Sequence, residues 1–278
     1  MHFPCLAFLL ISAALGTAAC QSKTAETTAE KEPAVAPVIL LTPGLWRGEL
    51  AVQGQEIPFL FEVKTEIGKP VVYLINKGLD GEQRLRCPRI TQAGDSVTVR
   101  MPTTDAALVL WANGTETLKG TWVKYDTKKP FRMPLVATAG RQRLFTDKGI
   151  DERGNSRRTE VHGESINIKF KFLFQDATEA SYTAVGIFRI DSSENSAKGT
   201  FSTSTDEYRY LDGNLASLDD GTHAGSHILL STFDGNHAFL FDAIPTEDRL
   251  IGNFYSDKYG HETFTAVLDP KAKLPTTR

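Results

Sequence analysis

From Gly44 onward, apolar and polar residues alternate with a period of two. "EIPFLFEV" sets Ile57, Phe59, Phe61 and Val63 on one face, and "SVTVRM" does the same with Val97, Val99 and Met101. "INIKFKFLF" alternates Ile166, Ile168, Phe170, Phe172 and Phe174 against Asn167, Lys169, Lys171 and Leu173. Such alternation predicts strands with one buried and one largely wet face. Asp80-Gly81, Gly94-Asp95, Asn113-Gly114, Asp212-Gly213 and Asp234-Gly235 separate these runs at short intervals, as in an antiparallel sandwich or barrel. No strand–helix–strand alternation accompanies them, which argues against an α/β enzyme. The expectation is an all-β antiparallel meander, barrel-like or a sandwich, of about ten to fourteen strands.

A weak internal repeat divides the chain. "DSVTVRMPTTDAALVLWANGTETLKGTWVKYD" aligns with "SHILLSTFDGNHAFLFDAIPTEDRLIGNFYSD". Both read strand, polar turn, apolar strand, polar turn, then Leu-x-Gly-x-aromatic: Leu118, Gly120 and Trp122, then Leu250, Gly252 and Phe254. A strand glycine beside a bulky aromatic lets a ring or a neighbouring backbone come close. Two related meander halves follow, 44–140 and 160–278, forming one unit. Between them, 141–159 has no period, and its run from Arg141 to Arg158 holds six basic and three acidic residues, so it reads as a solvated basic loop.

The N-terminus does not follow the strand pattern. "CLAFLLISAALGTAAC" is apolar for the length of a signal h-region and ends in small residues before Cys20. It resembles a bacterial lipoprotein signal, although the n-region has no Lys or Arg. That resemblance implies removal of 1–19, lipid attachment at Cys20 and a membrane anchor. An ordinary cleaved signal peptide is the alternative. Gln21, in place of a retaining aspartate, points to an outer-membrane lipoprotein facing the periplasm, with a secreted or soluble periplasmic protein as the alternative. Residues 20–43, rich in Thr, Ala, Glu and Pro, read as a flexible tether spanning roughly 25 Å.

Composition narrows function mainly by exclusion. The chain has 278 residues, 41% of them hydrophobic, and a formal charge of −3. That is ordinary globular material with no electrostatic case for nucleic acid. Three cysteines, Cys5, Cys20 and Cys87, form neither a disulfide framework nor a Cys-x-x-Cys pair.

Candidate chemistry gathers near the C-terminus. In "LLSTFDGNHAFLFDA", Asp234-Gly235 predicts a two-residue hairpin turn, after which His237, Phe239 and Phe241 share a face. The aligned segment of the first half has alanines there, so the hairpin forms without a histidine, and His237 reads as a hydrogen-bonded rim residue. His223, His227, His237 and His261, with Glu262 beside the last, form a looser cluster. They match no zinc spacing, and no nucleophile elbow accompanies Ser231, Asp234 and His237. No cofactor is implied.

"AVGIFRI", "KGTFSTSTDEYRYLDG", "LLSTFDGNHAFLFDA", "LIGNFYSDKYGHETFTA" and "LDPKAKLP" together resemble the β-rich N-terminal region of bacterial TlpA-like, thioredoxin-like lipoproteins. The most specific pieces are Phe233 to Phe241 and His261 to Ala266. The family places a thioredoxin fold with Cys-x-x-Cys about where "KLPTTR" stands, and this sequence holds no counterpart of those cysteines. The resemblance therefore implies an accessory module without reductase activity, with a thioredoxin-fold envelope protein as partner. Two other functions are weighed: a lipocalin-like carrier of a small apolar ligand, and a metal-assisted hydrolase at the C-terminal histidines.

Overall fold

The alternating runs become strands, and Gly-containing turns join neighbours in the chain into antiparallel pairs. A computed structural model describes residues 41–128, 131–146, 166–175, 181–191, 193–219 and 224–274. Among them, nine strands make one sheet: β1 (Gly44–Val52), β2 (Gln55–Glu66), β3 (Lys69–Gly78), β4 (Gly81–Cys87), β5 (Ile90–Ala93), β6 (Ser96–Arg100), β7 (Ala106–Ala112), β8 (Thr117–Lys124) and β9 (Phe131–Ala139). The others are β10 (Ile166–Gln175), β11 (Ser181–Asp191), β12 (Ser196–Ser202), β13 (Glu207–Asp219), β14 (Ala224–Phe233), β15 (Ala238–Pro245), β16 (Arg249–Ser256) and β17 (Gly260–Leu268), which close into a barrel. Strands are more numerous than expected because short edge pieces such as β4 and β5 are mostly exposed and lack a clean apolar period.

The first sheet runs β4-β3-β2-β1-β9-β8-β7-β6-β5. Its two edges, β4 and β5, are successive in the chain, with only Pro88 and Arg89 between them. The sheet is therefore curled into a half-barrel with a seam between its edges. Its concave side holds Trp46, Phe59, Phe61, Leu74 and Trp122, all buried. Cys87 is fully buried on the same side, and burial pushes its thiol up to about 11.

The barrel closes where β10 pairs with both β11 and β17. Its lumen is filled by phenylalanines: Phe172 packs against Phe188, Phe241 and Phe264, and Phe241 stacks on Phe264 with centroids 4.5 Å apart. The expected inward set Phe170, Phe172 and Phe174 lies here, while Leu173 on the other face is 51% exposed.

The outer wall of this barrel packs into the half-barrel, within one compact unit. Phe233, at the end of β14, enters the concave side against Phe59 (4.5 Å) and Trp122 (5.1 Å). Asn76 fixes it from β3, donating Nδ2 to the Phe233 carbonyl at 3.0 Å and accepting the Phe233 N–H at 3.3 Å. Ser231 Oγ donates to the Pro58 carbonyl at 2.6 Å, and Trp122 Nε1 donates to the Gly235 carbonyl at 3.3 Å.

The repeat is structural. Strands β6-β7-β8 and β14-β15-β16 are matching meanders, with Gly120 facing Leu110 and Gly252 facing Ala243. A Cβ on Gly120 would strike the Val109 carbonyl, and one on Gly252 the Asp242 carbonyl, the same relation in both halves. Two expected boundaries shift. Leu41 is buried, and the Thr42 carbonyl accepts Trp46 Nε1, so the last tether residues already belong to the fold. In the basic segment, Leu144 and Phe145 are buried rather than solvated, because an apolar pair beside the barrel wall gains by leaving water. Residues 147–159, Cys20 and the signal-like stretch lie outside the described residues.

Candidate functional site: a cleft beside the barrel wall

The hairpin carrying His237 is built by its turn. Asp234 to His237 form a four-residue loop rather than the expected two-residue turn: only Gly235 has positive φ (87°), and the Asp234 side chain folds the loop by accepting the N–H groups of Asn236 (2.7 Å) and His237 (2.6 Å). This side-chain turn replaces the backbone geometry a two-residue loop needs. Phe239 and Phe241 continue on the barrel's inner side. His237 stacks on Phe239 at the rim, and its Nδ1 meets Asp257 Oδ2 at 3.0 Å. That carboxylate also accepts the Ala238 N–H and lies 3.9 Å from Lys124 Nζ. The Asp257 hydrogen bond raises the His237 pKa above the ordinary histidine value, against an opposing effect of burial.

The other sequence candidates have separate partners. His261 is exposed, stacks on Tyr255, and meets Asn253 Oδ1 at 2.9 Å. Glu262 accepts the Tyr182 hydroxyl at the barrel mouth, and burial together with that carboxylate pushes the Tyr182 phenol far up. Asp234 and Gly235 are committed to the turn and to Trp122. His227 is almost wholly buried on the outer wall, with Nδ1 2.6 Å from Asp242 Oδ1. The histidines thus sit on three different partners, and among the described residues no three His, Cys, Asp or Glu side chains converge on one metal position. His223 lies outside the described residues.

The arrangement best suited to hold a molecule was not singled out by the motifs. A cleft of about 260 Å³ opens between the β1–β2 hairpin, residues 145–146, and strands β13 to β15. Phe145, Leu218, Leu229 and Leu240 make its apolar wall, and Arg47, Gln55, Glu56, His227 and Asp242 supply polar groups. Arg47 is buried beneath the segment after β9: its Nε donates to the Leu144 carbonyl at 2.6 Å and its Nη1 pairs with Glu49. Burial lowers its pKa to about 10; Glu56 pulls upward and Arg141 adds to the lowering. Asn214 holds Phe145 by both backbone groups, at 3.0 and 3.1 Å, which fixes this wall. An apolar surface with a few placed polar groups is the ordinary make-up of a small-molecule site. Sequence signals existed: Asp242 is a charge inside the run "FLFDA", and Arg47 one inside "GLWRGEL". Neither pattern shows which other strand each charge meets.

No protein-family model matches this chain, and no curated protein matches it.

Proposed function

We propose that this chain is an exported binding module, tethered to the membrane through Cys20 and without catalysis of its own, whose ligand enters the cleft beside the barrel wall. The observation that supports it most directly is the cleft itself, apolar on one side and lined by Arg47, Gln55 and the His227–Asp242 pair on the other. The groups that could do chemistry are otherwise engaged. His227 Nε2 is shut off from solvent, Ser231 Oγ is bound to the Pro58 carbonyl, and the Cys87 thiol is buried and hard to ionise. A lipocalin-like internal site is disfavoured because the barrel encloses its own phenylalanines. The resemblance to TlpA-like lipoproteins makes a thioredoxin-fold envelope protein the macromolecular partner to look for, and the outer membrane, on the periplasmic side, the place.

Two measurements test this reading. A thermal-shift screen of small molecules should yield compounds that stabilise the wild type and fail on Leu218→Trp, whose indole occupies the cleft. Hits that stabilise both proteins equally place binding elsewhere and overturn the cleft as the site. Membrane fractionation of Cys20→Ala should move the protein to the soluble fraction, and retention in the membrane refutes the anchor.

A further inference from the structure

We infer that the cleft takes a small carboxylate with an apolar body, received by the Arg47 guanidinium. This rests on the reading of the cleft as a binding site. Arg47 is 5% exposed and is one of the residues that line the cleft. Its Nε is used by the Leu144 carbonyl and its Nη1 by Glu49, and neither described contact uses Nη2. A buried guanidinium whose Nη2 is left by these two contacts suits an anionic oxygen at a concave site, because a hydrogen bond from a charged donor to a carboxylate is stronger than one to a neutral group. The lowered pKa of Arg47, set by burial that Glu56 offsets only in part, agrees with this geometry: part of its lost hydration is uncompensated, and an arriving anion would supply it. Asp242, the carboxylate on the barrel wall, is turned to His227 Nδ1 at 2.6 Å. Between these poles the walls are Phe145, Leu229 and Leu240, all buried and apolar. The volume, about 260 Å³, falls just below the usual range of drug-sized ligand sites, which limits the occupant to a small molecule.

The test varies the head group on one chain length. Octanoate, octan-1-ol and octylamine are titrated into the full chain by calorimetry. Octanoate should bind at one site, about tenfold or more tighter than the alcohol, since a hydrogen bond to a charged group is at stake. Arg47→Met should remove that preference. Glu56→Gln, which takes away a rim charge, should tighten octanoate roughly two- to fivefold. Should Arg47→Met fail to fold, carboxyl-¹³C octanoate with the wild type gives the answer through a shifted carboxyl resonance that Leu218→Trp abolishes. Equal binding of octanol, or tighter binding of octylamine, overturns the carboxylate assignment while leaving the cleft as a binding site. Failure of all three ligands to bind overturns the assignment, and hits from the general screen then tell whether the cleft reading falls with it.

Discussion

Phe233→Ala is the sharpest test of how the two sheets hold together. Phe233 is fully buried, yet it belongs to the barrel's outer wall and spends its surface inside the half-barrel. Truncating a buried Phe to Ala costs about 3–5 kcal/mol. The ring also packs on Phe59 at 4.5 Å and 49° and on Trp122 at 5.1 Å and 85°, and losing both aromatic partners places the value in the upper part of that range. The hydrogen bonds to Asn76 use the Phe233 backbone and survive the change, so the loss is one of packing alone. For a unit of this size, about 4 kcal/mol lowers Tm by roughly 8–16 °C. Urea denaturation followed by tryptophan fluorescence reads the event directly, because Trp122 loses a neighbour. Phe233→Leu, which refills most of the space, should cost less than half as much. A loss below about 1.5 kcal/mol for Phe233→Ala, well under the range for a buried ring, would refute the idea that this ring pins the barrel to the half-barrel.

Three further outcomes follow from the same geometry. Asn76→Ala leaves the buried N–H and C=O of Phe233 without their side-chain partner and should cost about 2–3 kcal/mol in denaturant melts. Gly252→Ala drives a methyl into the Asp242 carbonyl and the Phe264 ring and should destabilise by about 1–3 kcal/mol, whereas Gly225→Ala, with open space around it, should stay within about 0.5 kcal/mol of wild type. His237 has its pKa raised in the folded state, so its pairing with Asp257 stabilises fully below the ordinary histidine pKa of about 6.5 and is lost as pH rises through the raised value. The stability gap between wild type and His237→Asn should therefore be wider at pH 5.5 than at pH 8.5. With the side chain 43% exposed, solvent screening keeps that gap well under about 1 kcal/mol, and a gap that widens with pH would reverse the argument.

The strands with clean alternation were legible because parity alone decides which face they bury. Phe170, Phe172 and Phe174 declare a lumen without any knowledge of their neighbours. The Leu-x-Gly-x-aromatic repeat likewise marked a close backbone approach, which Gly120 and Gly252 both show. What parity cannot show is the second burial of an outward face. Leu229, Ser231 and Phe233 sit on the side of β14 that a lone barrel would give to water, and only packing against the half-barrel buries them. The cleft depends on the same non-local event, since Arg47 and Asp242 lie almost two hundred residues apart. His237 stood out in the sequence because histidine is conspicuous. Its place at the rim followed from the Asp-Gly turn, whereas its partner Asp257 became visible only with the β16–β17 turn in place.

The plug and its socket are also separated in time. All strands of the half-barrel are complete by Ala139, whereas Phe233 lies roughly ninety residues further along and emerges after them, whether from the ribosome or from an export channel. Throughout that interval Phe59 and Trp122 face an unfilled opening, and the nascent chain displays an aromatic surface that the finished molecule hides. A truncation ending before β14 should therefore be sticky, engage holdase chaperones and aggregate, even though every strand of its first sheet is present.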